Sequence, residues 1–251
     1  MPPPHFAPHD DEPGIVWDSG KYPWASVSLL LVRPYRPYPK GERIPAYYIN
    51  SNASYHAAVA LARGLEAVGV RLLRCELPVK RLMSESRAGE LCRNSLVALP
   101  DLGTRVVFQT MLLGSGNGHT FTPEAYPAYA TGRCAACRAC ETACPAHAIS
   151  ADGLDVKKCM RYYMDGADYP EWVYGVQSTH MGCEVCQAVC PRNAACGTAL
   201  PENEVKSAFD LERLAAGDTK AARLLVGKNF TGRGKLQKEA LNFIKRDGAP
   251  K

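Results

Sequence analysis

The chain has 251 residues, 46% of them hydrophobic, which is long enough to bury a sizeable core in one α/β unit with a smaller module fused to it. No apolar run approaches the roughly 20 residues of a membrane span, and one of the longest, Val27–Val32, is strand-sized. The formal charge of +5 is concentrated at the C-terminal end, where Lys228, Arg233, Lys235, Lys238, Lys245, Arg246 and Lys251 face only Glu239 and Asp247. A solvated helical face accounts for such a tail, and phosphate or an acidic redox partner is its functional counterpart.

In chain order, residues 1–20 are rich in proline and acid and lack periodicity, which predicts a loosely held extension. The opening MPPPHFAPHDDEPG has no basic start followed by an apolar stretch, so the expected setting is soluble, reducing and cytoplasmic. Val27–Val32 reads as a buried strand, and Arg33–Pro45, with four prolines, as an extended surface loop. Ser54 is the expected N-cap of a helix carrying Ala58, Leu61, Ala62, Leu65 and Val68, with Gly69 at the exit and a strand over Val70–Leu73. Strand, helix, strand is the order of an α/β layer. An amphipathic stretch covers Val79–Leu91, Arg105–Leu113 is the next strand, and GSGNG (114–118) is a turn without the residues of a phosphate loop. Two helices, Phe209–Val226 and Lys235–Ile244, close the chain.

Between these halves lies the densest chemistry. Cys134, Cys137, Cys140, Cys144 and Pro145 form the string CxxCxxCxxxCP, which is close to diagnostic for [4Fe–4S] ligation. Three thiolates wrap one cube and the fourth, before the proline, turns to a second. Cys183, Cys186, Cys190 and Pro191 supply that second run without its first cysteine. The crossing rule gives cluster one Cys134, Cys137, Cys140 and Cys190. Cluster two then holds Cys144, Cys183 and Cys186 and needs one more ligand, for which Cys159, His180 and Cys196 are the nearby candidates. A solvent-facing role is the expectation for His180. Tetrahedral zinc fits four closely spaced cysteines and two Cys-Pro steps poorly.

The stretch Cys134–Asn193, with its full string, an isolated cysteine and then GCxxCxxxCPxN, resembles the epoxyqueuosine reductases, cobalamin-dependent enzymes related to reductive dehalogenases. The resemblance makes Cys159, in CMRY, the missing ligand of cluster two. It extends more weakly to Tyr55-His56 ahead of the helix, to the turn GELCRN (89–94) and to 221–246. It implies an α/β (α+β) cobalamin-binding-type domain at 21–130, a ferredoxin-like two-cluster module at 131–200 and a helical segment at 201–251. It also implies cofactor contacts from His56, Cys75, Asn94 and Ser95.

The departures carry information. Cys75 stands where the family has an aspartate thought to protonate the substrate, so Cys75 is the candidate catalytic group. Cys92 and Arg93 replace a glycine and a lysine of the family's turn. The chain is also shorter than the full-length enzymes and lacks a C-terminal helical-repeat extension, which counts against tRNA as the substrate. The resulting expectation is an iron–sulfur oxidoreductase whose two clusters feed a bound cobalamin, with a low-potential ferredoxin or flavodoxin as donor. The alternative is a non-catalytic two-cluster electron carrier serving a partner redox enzyme.

Overall fold

The computed structural model describes residues 22–115, 132, 134–164, 169–227, 232 and 234–248. The expected N-terminal extension and most of GSGNG lie outside the described residues.

Strand β1 (Val27–Pro34) pairs antiparallel along its whole length with β5 (Val106–Ser115), from Val27 opposite Leu113 to Pro34 opposite Val106. Strand β2 (Val70–Arg74) pairs antiparallel with the far edge of β5, which gives the order β1-β5-β2. The apolar run of β5 reflects its central place, with Val106, Val107, Met111 and Leu112 all buried. The two strands flanking helix α1 (Ala46–Glu66) therefore run parallel with β5 between them. Gly114 belongs to β5, where an added Cβ would meet the Trp24 carbonyl oxygen.

Helix α1 starts at Ala46, directly after Pro45, eight residues ahead of the expected cap. Ser54 is a buried mid-helix residue on its inner face. The polar residues Asn50, Ser51, Asn52 and Ser54 mask the early half of the helix in a sequence reading, although the Asn50 side chain donates to the Ala46 carbonyl within it. Gly69 ends the element as expected, at a φ of 80°. The segment 33–45 is less exposed than its prolines suggest: β1 runs on to Pro34, a short 3-10 turn occupies Lys40–Glu42, and Tyr35 and Ile44 are buried.

The stretch at 79–91 divides into helix α2 (Val79–Glu85) and strand β3 (Glu90–Leu91), which forms a tight hairpin with β4 (Val97–Ala98). In the cysteine-rich segment, helices α3 (Ala139–Ala143) and α5 (Val185–Ala188) pack on each other. The small hairpin of β6 (Ile149–Ser150) and β7 (Gly153–Leu154) and helix α4 (Glu171–Val176) lie between them in sequence.

The first expected C-terminal helix is three short ones, α6 (Asn203–Ala208), α7 (Leu211–Ala215) and α8 (Lys220–Val226), because Asp210 caps a fresh start at α7 and Gly217 breaks the run at φ 89°. The last, α9 (Lys235–Asp247), buries a stripe of Leu236, Ala240 and Phe243. These helices fold back on α1, with Tyr48, Met181, Val205, Phe209 and Leu236 in one apolar cluster. Part of the basic tail is structural: Lys235, 5% exposed, donates to the Met164 carbonyl, and Arg246 donates to the carbonyls of Tyr174 and Gln177.

Candidate iron–sulfur site

Proline explains how one string serves two places. Cys140 sits in α3, whereas Cys144, one turn on, leaves the helix in an extended conformation (φ −66°, ψ 114°) imposed by the following Pro145. Cys190, ahead of Pro191, adopts the same geometry (φ −74°, ψ 121°). Cys159 takes it too (φ −79°, ψ 123°) without a proline, held by its own N–H to the carbonyls of Asp155 and Val156.

The electrostatic neighbours of each thiol define two groups. Burial pushes the Cys140 thiol up to about 11, with Cys134, Cys190 and Cys137 adding to it. Cys190 is raised by burial and then by Cys134 and Cys137. In the other group burial pushes Cys186 up to about 12, reinforced by Cys183, Cys159 and Cys140. Burial raises Cys159 and Cys183 as well, and each also feels Cys144. Cys140 and Cys186, on the packed helices α3 and α5, are where the groups touch. Crowded thiols oppose each other's ionisation, whereas bound iron favours the thiolates, so this donor set fits a cation-rich cluster.

Cys134 is the exception. A hydrogen bond from the buried Cys92 thiol, followed by the Arg93 N–H at 3.1 Å from its sulfur, lowers it to about 6 against the opposing effect of burial. Cys144 receives the Ala148 N–H at 3.3 Å.

A cavity of about 380 Å³ opens on the second group, lined by Cys144, Cys159, Cys183 and Cys186 together with Asn94, Ser95, Lys80 and Arg161. Lys80 Nζ stands 3.3 Å from Ser95 Oγ, and the Arg161 guanidinium lies over the rings of Tyr47 and Tyr48. Of the residues expected at a cofactor, Asn94 and Ser95 line this cavity and His56 and Cys75 do not. His56 is exposed, edge-on to Tyr55. Cys75 follows β2, its N–H bonded to the Thr110 carbonyl and its thiol raised by burial against the lowering effect of Arg74. Cys196 donates to the Tyr35 carbonyl at 3.3 Å.

His180 is not solvent-facing. It is fully buried, its Nδ1 lies 3.1 Å from Glu239 Oε2, and Phe209 and Phe243 pack on its ring. Glu239 also accepts from the Met181 N–H, so this side chain anchors α9 to the loop before Cys183. No local sequence signal pairs residues 59 positions apart.

The α/β layer holds the cysteine segment through groups that the strings do not contain. Arg105 pairs with Glu184 at 2.8 Å, Gln187 Nε2 donates to the Thr104 carbonyl at 2.8 Å, and Asn193 Oδ1 accepts from the Thr104 N–H at 2.7 Å. Glu90 pairs with Arg192 and accepts from the Gly132 and Cys134 N–H groups. The signal in reach of a sequence reading was the Cys-Pro-x-Asn ending, whose asparagine serves this docking.

Residues 133–193 match the family model described as a 4Fe-4S double cluster binding domain, so the chain is an iron–sulfur protein with a double-cluster segment carried on a mixed α/β framework. In sequence it is similar to part of the epoxyqueuosine reductases. The epoxyqueuosine reductase of Synechococcus sp. (strain CC9605) is 30% identical over 121 residues, 45% of this chain and 35% of that protein. That of Staphylococcus aureus (strain NCTC 8325 / PS 47) is 30% identical over 44% of this chain and 28% of its own length. The matches thus span about a third of these relatives. In fold, the epoxyqueuosine reductase of Bacillus subtilis, solved with its catalytic loop swung out of the active site, superposes with a TM-score of 0.65 at 19% identity, over 89% of this chain and 65% of that one.

The expectation against tRNA is corrected by a further neighbour. An epoxyqueuosine reductase solved with an epoxyqueuosine-modified tRNA-Tyr stem loop shares its fold with 89% of this chain, at a TM-score of 0.61 and 18% identity. A neighbour of this fold thus carries a tRNA stem loop, so the fold gives no ground for the expectation against tRNA. No described helix is long and apolar enough to cross a membrane.

Proposed function

We propose that this chain is an oxidoreductase of the epoxyqueuosine reductase type. One [4Fe–4S] cluster would be held by Cys134, Cys137, Cys140 and Cys190, and the other by Cys144, Cys159, Cys183 and Cys186. A cobalamin-type cofactor would sit against the α/β layer, at Asn94 and Ser95. Bound there, the clusters supply one-electron transfer and the corrinoid supplies the reducing centre. The observation that carries the reading is that the eight thiols gather around two centres, with Cys134, Cys137 and Cys190 acting on Cys140 and with Cys159 and Cys183 acting on Cys186. Cytoplasmic location and a low-potential ferredoxin or flavodoxin as donor belong to the same reading, as does a division of the chain near residues 20, 130 and 200.

The residues have separable tasks. Lys80 and Arg161 place positive charge beside the cavity, which offsets the negative charge of a thiolate-ligated cluster. Burial keeps the Cys75 thiol protonated, the state required of a proton donor. A tRNA stem loop bearing a modified nucleoside is the substrate class to test. The test is anaerobic purification with iron and corrinoid analysis, then incubation with hydroxocobalamin, a low-potential reductant and an epoxyqueuosine-bearing tRNA-Tyr stem loop. The expected result is about eight irons per chain, a cobalt spectrum and loss of the epoxide.

One observation favours a second reading. Cys75 and His56 stand apart from the cavity that Asn94 and Ser95 line, which suits a two-cluster electron carrier without a corrinoid. A full iron complement that cycles at low potential, with no cobalt spectrum, selects it.

A further inference from the structure

The proposed first cluster draws its ligands from two segments far apart in sequence, the string that begins at Cys134 and the turn that carries Cys190. Its geometry therefore depends on what holds these segments together, and one carboxylate spans them. Glu90, in β3 and 5% exposed, accepts through Oε1 from the N–H groups of Gly132 at 2.8 Å and Cys134 at 3.2 Å. Through Oε2 it pairs with Arg192, two residues past Cys190. The pairing of β3 with β4, Glu90 opposite Ala98, fixes the backbone that presents this side chain. The turn that follows stays on the same string: the Arg93 N–H lies 3.1 Å from Cys134 Sγ, and the Arg93 guanidinium donates to the Ala135 carbonyl at 3.0 Å. A buried ion pair adds little to stability over apolar packing, and its better use is to fix one arrangement among several. Each of these Glu90 partners belongs to a segment that carries a ligand of the first cluster.

From these contacts we infer that Glu90 is a positioning residue for the first cluster, which seats the Cys134 and Cys190 segments against each other and sets a negative charge beside the cluster that makes it harder to reduce. The inference rests on the cluster assignment proposed above. Reduction adds one electron, hence one negative charge, to a cluster and its thiolates, and a carboxylate nearby opposes it. Losing the carboxylate while Arg192 keeps its positive charge therefore favours the reduced state. An acid that only pinned the cysteine segment to the sheet would loosen both clusters alike and leave both potentials in place.

The test uses the full chain, reconstituted anaerobically as wild type, Glu90→Gln and Glu90→Ala, with iron release to a mild chelator and a redox titration followed by electron paramagnetic resonance. Cys159→Ala, which should lose the second cluster, marks the signal of the first. Glu90→Gln keeps an amide oxygen for the two N–H groups, so both clusters should stay. The couple of the first should move positive by about tenfold in its reduction equilibrium, about 59 mV for a one-electron step, while the other stays in place. Glu90→Ala removes the acceptor altogether and should release the first cluster's iron about tenfold faster than wild type, the second keeping its rate. Unmoved potentials in Glu90→Gln, or a shift in the signal that Cys159→Ala loses, overturn the inference. Iron release unchanged in Glu90→Ala, or equally faster from both clusters, overturns it too. Glu90→Gln alone decides if Glu90→Ala does not fold. Wild type that takes up no iron refutes the cluster assignment itself.

Discussion

At the residue scale, the eight proposed ligand cysteines differ in what surrounds them rather than in sequence type. In the iron-free protein the hydrogen bond from Cys92 and the Arg93 N–H hold Cys134 near 6, so it is mostly thiolate at neutral pH, while burial among thiols leaves Cys186, near 12, protonated. Thiolate is the reactive form. Brief alkylation of iron-free protein at about pH 7 should therefore label Cys134 well before Cys186, and labelling of Cys134 should fall only as pH drops through about 6. Peptide mass spectrometry reads the order, and equal rates would show that Cys134 lacks its donors. Removing one proposed ligand tests the grouping directly: Cys159→Ala should lose about half the iron on a two-cluster reading, with the remaining cluster spectroscopically intact. The strings were legible because ligand spacing is local and the proline after each fourth cysteine dictates its backbone. Cys159 has no string and no proline, so the residues alone left it one candidate beside Cys196 and the less expected His180, and only the family resemblance raised it. The donors to Cys134 lie 41 residues away in a hairpin and carry no sequence signature.

At the element scale, α9 is held by more than its apolar stripe. Glu239 is fully buried and faces His180 Nδ1, the Met181 N–H and the hydroxyl of Tyr169, which is pushed up by burial and then by Glu239 itself. Glu239→Ala would strand these polar groups without solvent and should cost about 3 kcal/mol, read as a drop in the denaturation midpoint, whereas Glu239→Gln should cost less. A midpoint unchanged in Glu239→Ala would mean that the apolar stripe alone docks the helix. The amphipathic spacing of Leu236, Ala240 and Phe243 made this helix readable, but the same reading assigned its charged residues to solvent. Charge predicts exposure only until a partner distant in sequence takes the group inside. Helix α1 shows the converse: its asparagines and serines suggest a late start, and tertiary packing of Tyr48 and Ser54 overrides that local preference.

At the scale of the whole molecule, the cysteine segment is seated on the loop that leads into β5. Asn193 bonds Thr104 on its backbone N–H and hydroxyl, Gln187 bonds the Thr104 carbonyl, and Arg105 pairs with Glu184 in a site where its side chain is 4% exposed. The approach is so close that Gly103 has no room for a side chain. A Cβ there would come within 2.2 Å of Asn193 Oδ1 and 2.4 Å of the Arg192 carbonyl oxygen, on a backbone with φ of 63°. Glycine is needed at this position both for the left-handed backbone and for the contact. Gly103→Ala must therefore push the Cys190–Asn193 turn off the sheet, moving a proposed ligand of the first cluster and the Arg192 partner of Glu90 without altering any cysteine. The expected outcome is a loss of about 2 kcal/mol or more in stability together with weakened retention of the first cluster, while the second keeps its iron. Iron release under a mild chelator, followed beside thermal unfolding, separates the two effects. Lower stability with both clusters held as firmly as in wild type would mean that the cysteine segment keeps its ligand geometry independently of its seat on the sheet.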